Sequence, residues 1–63
     1  MSTVKFTNAL TGRDVYIVAT NISHYQTDPD RPSGTSIMVS TGLLLIVEEP
    51  AEYVDNQVRS ALQ

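Results

Sequence analysis

Five apolar residues in a row, Leu43 to Val47, stand between Gly42 and the sequence Glu48-Glu49-Pro50 in a chain of 63 residues. A strand with one dry face alternates apolar and polar residues, because successive side chains point to opposite faces. This run does not alternate, so a strand here needs cover on both sides. The demand is severe for a chain this short, which buries only about 60% of the surface exposed on unfolding. Small domains commonly add a staple, such as a disulfide, a metal or a partner subunit. The chain has no cysteine and one histidine, so disulfides, thiolate metal sites and histidine-rich metal sites are excluded. Oligomerisation is the remaining route to extra burial.

The pattern along the chain is mainly β with one C-terminal helix, an α+β class of four to five antiparallel strands in a single small domain over residues 1–63. Val4 and Phe6 alternate with Lys5 and Thr7, which predicts a strand over 3–10. Leu10-Thr11-Gly12-Arg13 reads as a tight turn. The β-branched and aromatic stretch that follows predicts a strand over 13–19, again apolar on both faces. A bend near Thr20 and Asn21 separates it from a strand over 22–27. Residues 28–34, with two prolines, two aspartates, a serine and a glycine among them, predict a flexible loop. Strands over 35–40 and 43–48, joined by a two-residue Thr41-Gly42 turn, complete the sheet as a hairpin.

Pro50 suits the first position of a helix over 50–62, where its missing N–H costs nothing. Ala51, Val54, Val58, Ala61 and Leu62 fall at helical spacing on one stripe. Glu48, Glu49, Glu52 and Asp55 lie toward the helix start and Arg59 toward its end, the order favoured by the macrodipole. One short helix covers one face of such a sheet. Leu44 and Ile46, or else Leu43, Leu45 and Val47, need different cover. A meander that curls into a small, partly closed barrel would supply it, and so would a second subunit.

Candidate chemistry is sparse. Asp28 and Asp30 open a stretch like a calcium loop, but the fifth, sixth and twelfth places hold Pro32, Ser33 and Val39. His24 is a potential general base beside Ser23, yet neighbours on a strand point to opposite faces and do not pair directly. The three glycines, Gly12, Gly34 and Gly42, form no phosphate-binding loop. The expectation is a non-enzymatic protein with no catalytic set, metal, cofactor or small-molecule ligand.

Four basic residues stand against seven acidic ones, a net charge of −3, and Lys5, Arg13, Arg31 and Arg59 are widely spaced. Phosphate backbones are held by clustered cations, so nucleic-acid binding by a small barrel is disfavoured. No run approaches the length of a membrane span. Met1 to Leu10 lack the apolar core of a signal peptide, which predicts a cytoplasmic protein.

Gly42, the β-forming run to Val47, Glu49, Glu52 and Val54 together resemble the end of the FlbD-like family of small proteins encoded among flagellar genes. The start is similar: Phe6-Thr7, Leu10 and Gly12 at the turn, and Ile22 after an aromatic-rich strand. The chain departs from the family at Val18 and Thr20, where Asn and Asp are usual, and at Leu43 and Leu44, where basic residues are common. Its loop before Thr35 is also longer. The resemblance implies a compact β-rich bacterial accessory factor associated with flagellar assembly or motility, and carries no catalytic or ligand residues.

The expected function is therefore a protein-interaction module that self-associates as a homo-oligomer. A structural or assembly protein of a phage or mobile element is the alternative. Two-faced apolarity and amphipathic aromatic rings single out Tyr16, Val18, Tyr25, Met38, Leu44 and Ile46 as the candidate interface.

Overall fold

In the computed structural model, which describes residues 2–63, five strands form two antiparallel sheets and one helix follows. The first sheet pairs β1 (Thr3–Thr7) with β2 (Asp14–Val18). The second has the order β3 (Ile22–Asp28), β4 (Arg31–Val39), β5 (Leu44–Val47). A single turn of 3₁₀-helix, Ala19–Asn21, makes the bend between the sheets, and helix α1 spans Ala51–Leu62.

The inner faces follow from alternation. Val4 opposite Ile17 and Phe6 opposite Val15 line the first sheet. Tyr25, Ile37 and Leu45 form one cross-strand row of the second, with Thr35 and Val47 in the next. Phe6, Ile37, Val47 and Val54 are fully buried, and Val58 of the helix joins them in one core. Fully burying an aliphatic or aromatic side chain contributes about 1.5–3 kcal/mol each, so these few residues supply much of what holds a chain this small. Tyr53 sets its ring edge-on to Phe6, with centroids 6.3 Å apart and planes at 76°.

No barrel closes. The two sheets meet at one isolated bridge, Asn8 with Val47, reinforced by Ala9 N–H to Ile46 O at 2.8 Å and Glu48 N–H to Thr7 O at 2.9 Å. The five-residue run therefore has one dry face, to which Val47 and Leu45 belong, and one that no barrel interior covers. Leu44 is exposed and Ile46 half-buried on that outer face.

Several boundaries differ from expectation. β1 ends at Thr7 because the chain turns from Asn8, whose N–H bonds Arg13 O and whose O accepts from Gly12 N–H, both at 2.8 Å. Gly12 supplies the positive φ of 75° that this turn needs. Residues 28–34, expected as a loop, form the end of β3, a turn and the first part of β4. Asp28 pairs with Arg31 across a two-residue turn, Pro29-Asp30, and Pro32, Ser33 and Gly34 form a bulge before Thr35 rejoins Thr27. Gly34 lets this bulge press on β5, since a Cβ there would lie 2.7 Å from the Val47 carbonyl oxygen.

The β4–β5 turn has three residues, Ser40, Thr41 and Gly42, instead of two. Val39 N–H bonds Leu43 O at 3.1 Å, Gly42 N–H bonds Val39 O at 2.9 Å, and Gly42 takes φ 93°. That is the three-residue hairpin with a left-handed glycine at its end. Pro50 is the residue before the first helical one, with extended φ and ψ of −69° and 158°. Its carbonyl closes the first turn by accepting from Val54 N–H at 3.0 Å. Leu62, placed on the apolar stripe by spacing, is exposed at the last turn.

Candidate functional site

The site that the fold builds is a groove between the β2 edge and the tip of the β4–β5 hairpin. Tyr16 and Val18 form one side, Val39, Leu43 and Leu45 the other, and Val15 and Ile17 stand at its base toward the core. It holds about 350 Å³. None of the four basic or seven acidic residues lines it. Tyr16 is 67% exposed and Leu43 59%, so two large apolar side chains flank a neutral hollow on an acidic protein. A second hollow of similar size, over the bulge at Gly34, differs in kind because Arg31 and Glu48 stand at its rim.

Of the residues expected at an interface, the structure brings Tyr16 and Val18 together on β2. Met38, opposite Leu44 in the hairpin, and Ile46 share the outer face of the second sheet, a separate strip. Tyr25 faces the other way, toward the helix. Its hydroxyl donates to Asp55 Oδ1 at 2.6 Å, and Arg59 Nε donates to Asp55 Oδ2 at 2.9 Å. The bond from Tyr25, then that from Arg59, holds the Asp55 carboxyl below its usual range. The same bond to Asp55, with burial second, raises the Tyr25 phenol. No local signal marks Leu43 and Leu45 as groove residues, because only the position of β2 sets them opposite Tyr16.

One expectation about side-chain pairing is overturned. Ser23 Oγ lies 3.3 Å from His24 Nδ1, although the two are neighbours in β3. A bulge at Ser23, between the pairs Ile22–Val39 and His24–Met38, breaks the alternation that would have separated them. Both side chains are exposed. Glu49, read as part of a helix-start acidic cluster, instead ties β1 down by accepting from Thr7 N–H and Oγ1. Among the described residues, no group of three or more His, Asp or Glu is placed to hold a metal ion. No helix among them is long and apolar enough to cross a membrane.

Compared with known proteins, the chain matches no family model, no curated protein and no solved structure.

Proposed function

We propose that the protein is a small non-enzymatic interaction module that self-associates, using the uncharged groove beside β2. The observation that carries this reading is the concentration of exposed apolar groups there, Tyr16 and Leu43 above all, along a groove that no charged residue lines. Exposed apolar surface gathered at one place on a small protein commonly marks a contact site. Two copies, each of net charge −3, repel least where they approach through a neutral face. The size of the chain argues the same way, since it has neither disulfide nor thiolate metal site to supplement its core. The resemblance at Gly42, Val47, Glu49, Glu52 and Val54 is what supports reading such a module as an accessory factor of flagellar assembly or motility. Light scattering across micromolar concentrations tests self-association. A dimer or larger species is expected, and a folded monomer at every concentration refutes the reading.

A further inference from the structure

The backbone of β2 specifies how two copies would meet. In an antiparallel pair, residues that exchange hydrogen bonds alternate with residues that do not. Asn8 N–H bonds Arg13 O at 2.8 Å and Ala19 N–H bonds Ser2 O at 2.9 Å, just beyond the two ends of the β1–β2 ladder. Counting inward from both ends, Phe6–Val15 and Val4–Ile17 are bonded pairs, whereas Thr7–Asp14, Lys5–Tyr16 and Thr3–Val18 are not. The peptide groups of these last residues point away from the partner strand. Thr7 shows it independently, because its N–H reaches Glu49 and its carbonyl accepts from Glu48. On the opposite edge, Asp14 and Tyr16 turn their N–H and C=O groups outward and Val18 its N–H, and these groups have no backbone partner beyond the ladder among the described residues; the Val18 carbonyl, at the N-cap of the 3₁₀ turn, accepts from Asn21 N–H.

Other edges of the fold are interrupted. β3 is broken by its bulge at Ser23 and by the irregularity between Thr27 and Asp28. The end of β1 is capped by Glu48 and Glu49 and bridged to β5. β2 pairs in unbroken register over all five residues and contains no lysine, proline or bulge; of the devices that normally guard an edge it carries one charge, Asp14 at its first position.

We propose that two copies of the chain join by pairing their β2 strands antiparallel about a two-fold axis at Tyr16; the inference rests on the self-association reading above and specifies its geometry. In this register Tyr16 faces Tyr16 of the second copy, and Asp14 faces Val18 at each end. All three outward-facing residues then lie in bonded positions on both strands, which gives about four new backbone hydrogen bonds, the Val18 carbonyls being held by their own 3₁₀ turns. Val15 meets Ile17 of the second copy on the inner face, so the apolar layer continues across the axis. The two Asp14 carboxylates fall at opposite ends, which keeps like charges apart. The groove lies beside this edge, with the exposed Leu43 on its far side.

Amide hydrogen exchange on the unmodified protein, read beside its solution mass, tests the proposal. The Tyr16 and Val18 amides should be protected at least about tenfold in the assembled protein and lose that protection on dilution to monomer. A dimeric mass with both amides exchanging as freely as in the monomer overturns the β2 pairing and leaves self-association standing. A monomeric mass throughout overturns both. Because the chain has no cysteine, Tyr16→Cys is a second probe. Bonded antiparallel partners lie about 5.5 Å apart at Cα, within disulfide reach. Tyr16→Cys should give a covalent dimer under mild oxidation and Leu44→Cys should not. The reverse pattern moves the interface to the outer face of the second sheet and overturns the proposal.

Discussion

Glu49 and Thr7, 42 residues apart in sequence, are joined by three hydrogen bonds: Thr7 N–H to Oε1 at 2.9 Å and to Oε2 at 3.1 Å, and Thr7 Oγ1 to Oε2 at 3.0 Å. The carboxylate occupies the position that a neighbouring strand would take, and so satisfies the outward edge of β1 where the ladder to β5 stops. The backbone of the same residue is fixed as well, since its carbonyl accepts from Thr35 Oγ1 at 2.7 Å. Glu49 thus links β1, β4 and the entry to the helix.

Removing that acceptor leaves a part-buried amide and hydroxyl without partners. Glu49→Ala should lower unfolding free energy by about 1–3 kcal/mol, the range for losing hydrogen bonds to a charged group. Glu49→Gln keeps an acceptor and should lose less. Urea denaturation of the three proteins at neutral pH gives the comparison, and equal losses would show that acceptance by Glu49 is not what matters.

The glycines separate two reasons for having no side chain. Gly42 takes φ 93° with open space around its missing Cβ, so Gly42→Ala should cost about 1–2 kcal/mol through backbone strain alone. At Gly34 no positive φ is involved, but a Cβ would meet the Val47 carbonyl oxygen at 2.7 Å. Gly34→Ala should cost about 1–3 kcal/mol as overpacking and loosen the end of β5. Exchange of the Ala9 and Glu48 amides, which bond across the junction between the sheets, should accelerate in Gly34→Ala and not in Gly42→Ala.

The Tyr25–Asp55 bond gives stability a pH dependence at both ends. Asp55 is held below its ordinary pKa in the folded chain, so its contribution is present above the unfolded value, about 4, and is lost as pH falls through the depressed one. Tyr25 is raised, so its contribution is full below its unfolded value, about 10, and is lost as pH rises through the raised one. Tyr25→Phe should lower the melting temperature at neutral pH and flatten both limbs. Melting curves from pH 2 to 11 read this directly.

Phe6 is fully buried against Tyr53 and Val54 lies at the centre of the helix contact. Phe6→Ala should cost about 3–5 kcal/mol, a large share of the 5–15 kcal/mol typical of a native protein. Lys5→Ala, on the exposed face of the same strand, should change stability by no more than about 0.5 kcal/mol. Circular dichroism melts of the two variants make the contrast.

Most elements were legible in the chain because their signals are local. Alternation around Val4 and Phe6 and the apolar stripe at Val54 and Val58 each depend on residues a few positions apart, as do the glycines at 12 and 42. Residues 28–34 misled because prolines and aspartates also suit a tight turn and a bulge. What drew them into strand was the Asp28–Arg31 pairing at the end of the β3–β4 ladder and the close approach of Gly34 to the Val47 carbonyl oxygen, the second of which is not visible locally.

By itself, the sequence determined that this is a β-rich chain with a C-terminal helix, and that Leu43–Val47 puts apolar side chains on both faces of its strand. Those outcomes follow from side-chain period and from the small number of apolar residues. Only the tertiary structure decided that no barrel closes, that Leu45 and Val47 face the core while Leu44 and Ile46 face outward, and that Tyr16 and Leu43 flank one groove. These are set by register and by the angle between two sheets, and a shift of one residue in pairing would exchange every inward side chain for an outward one.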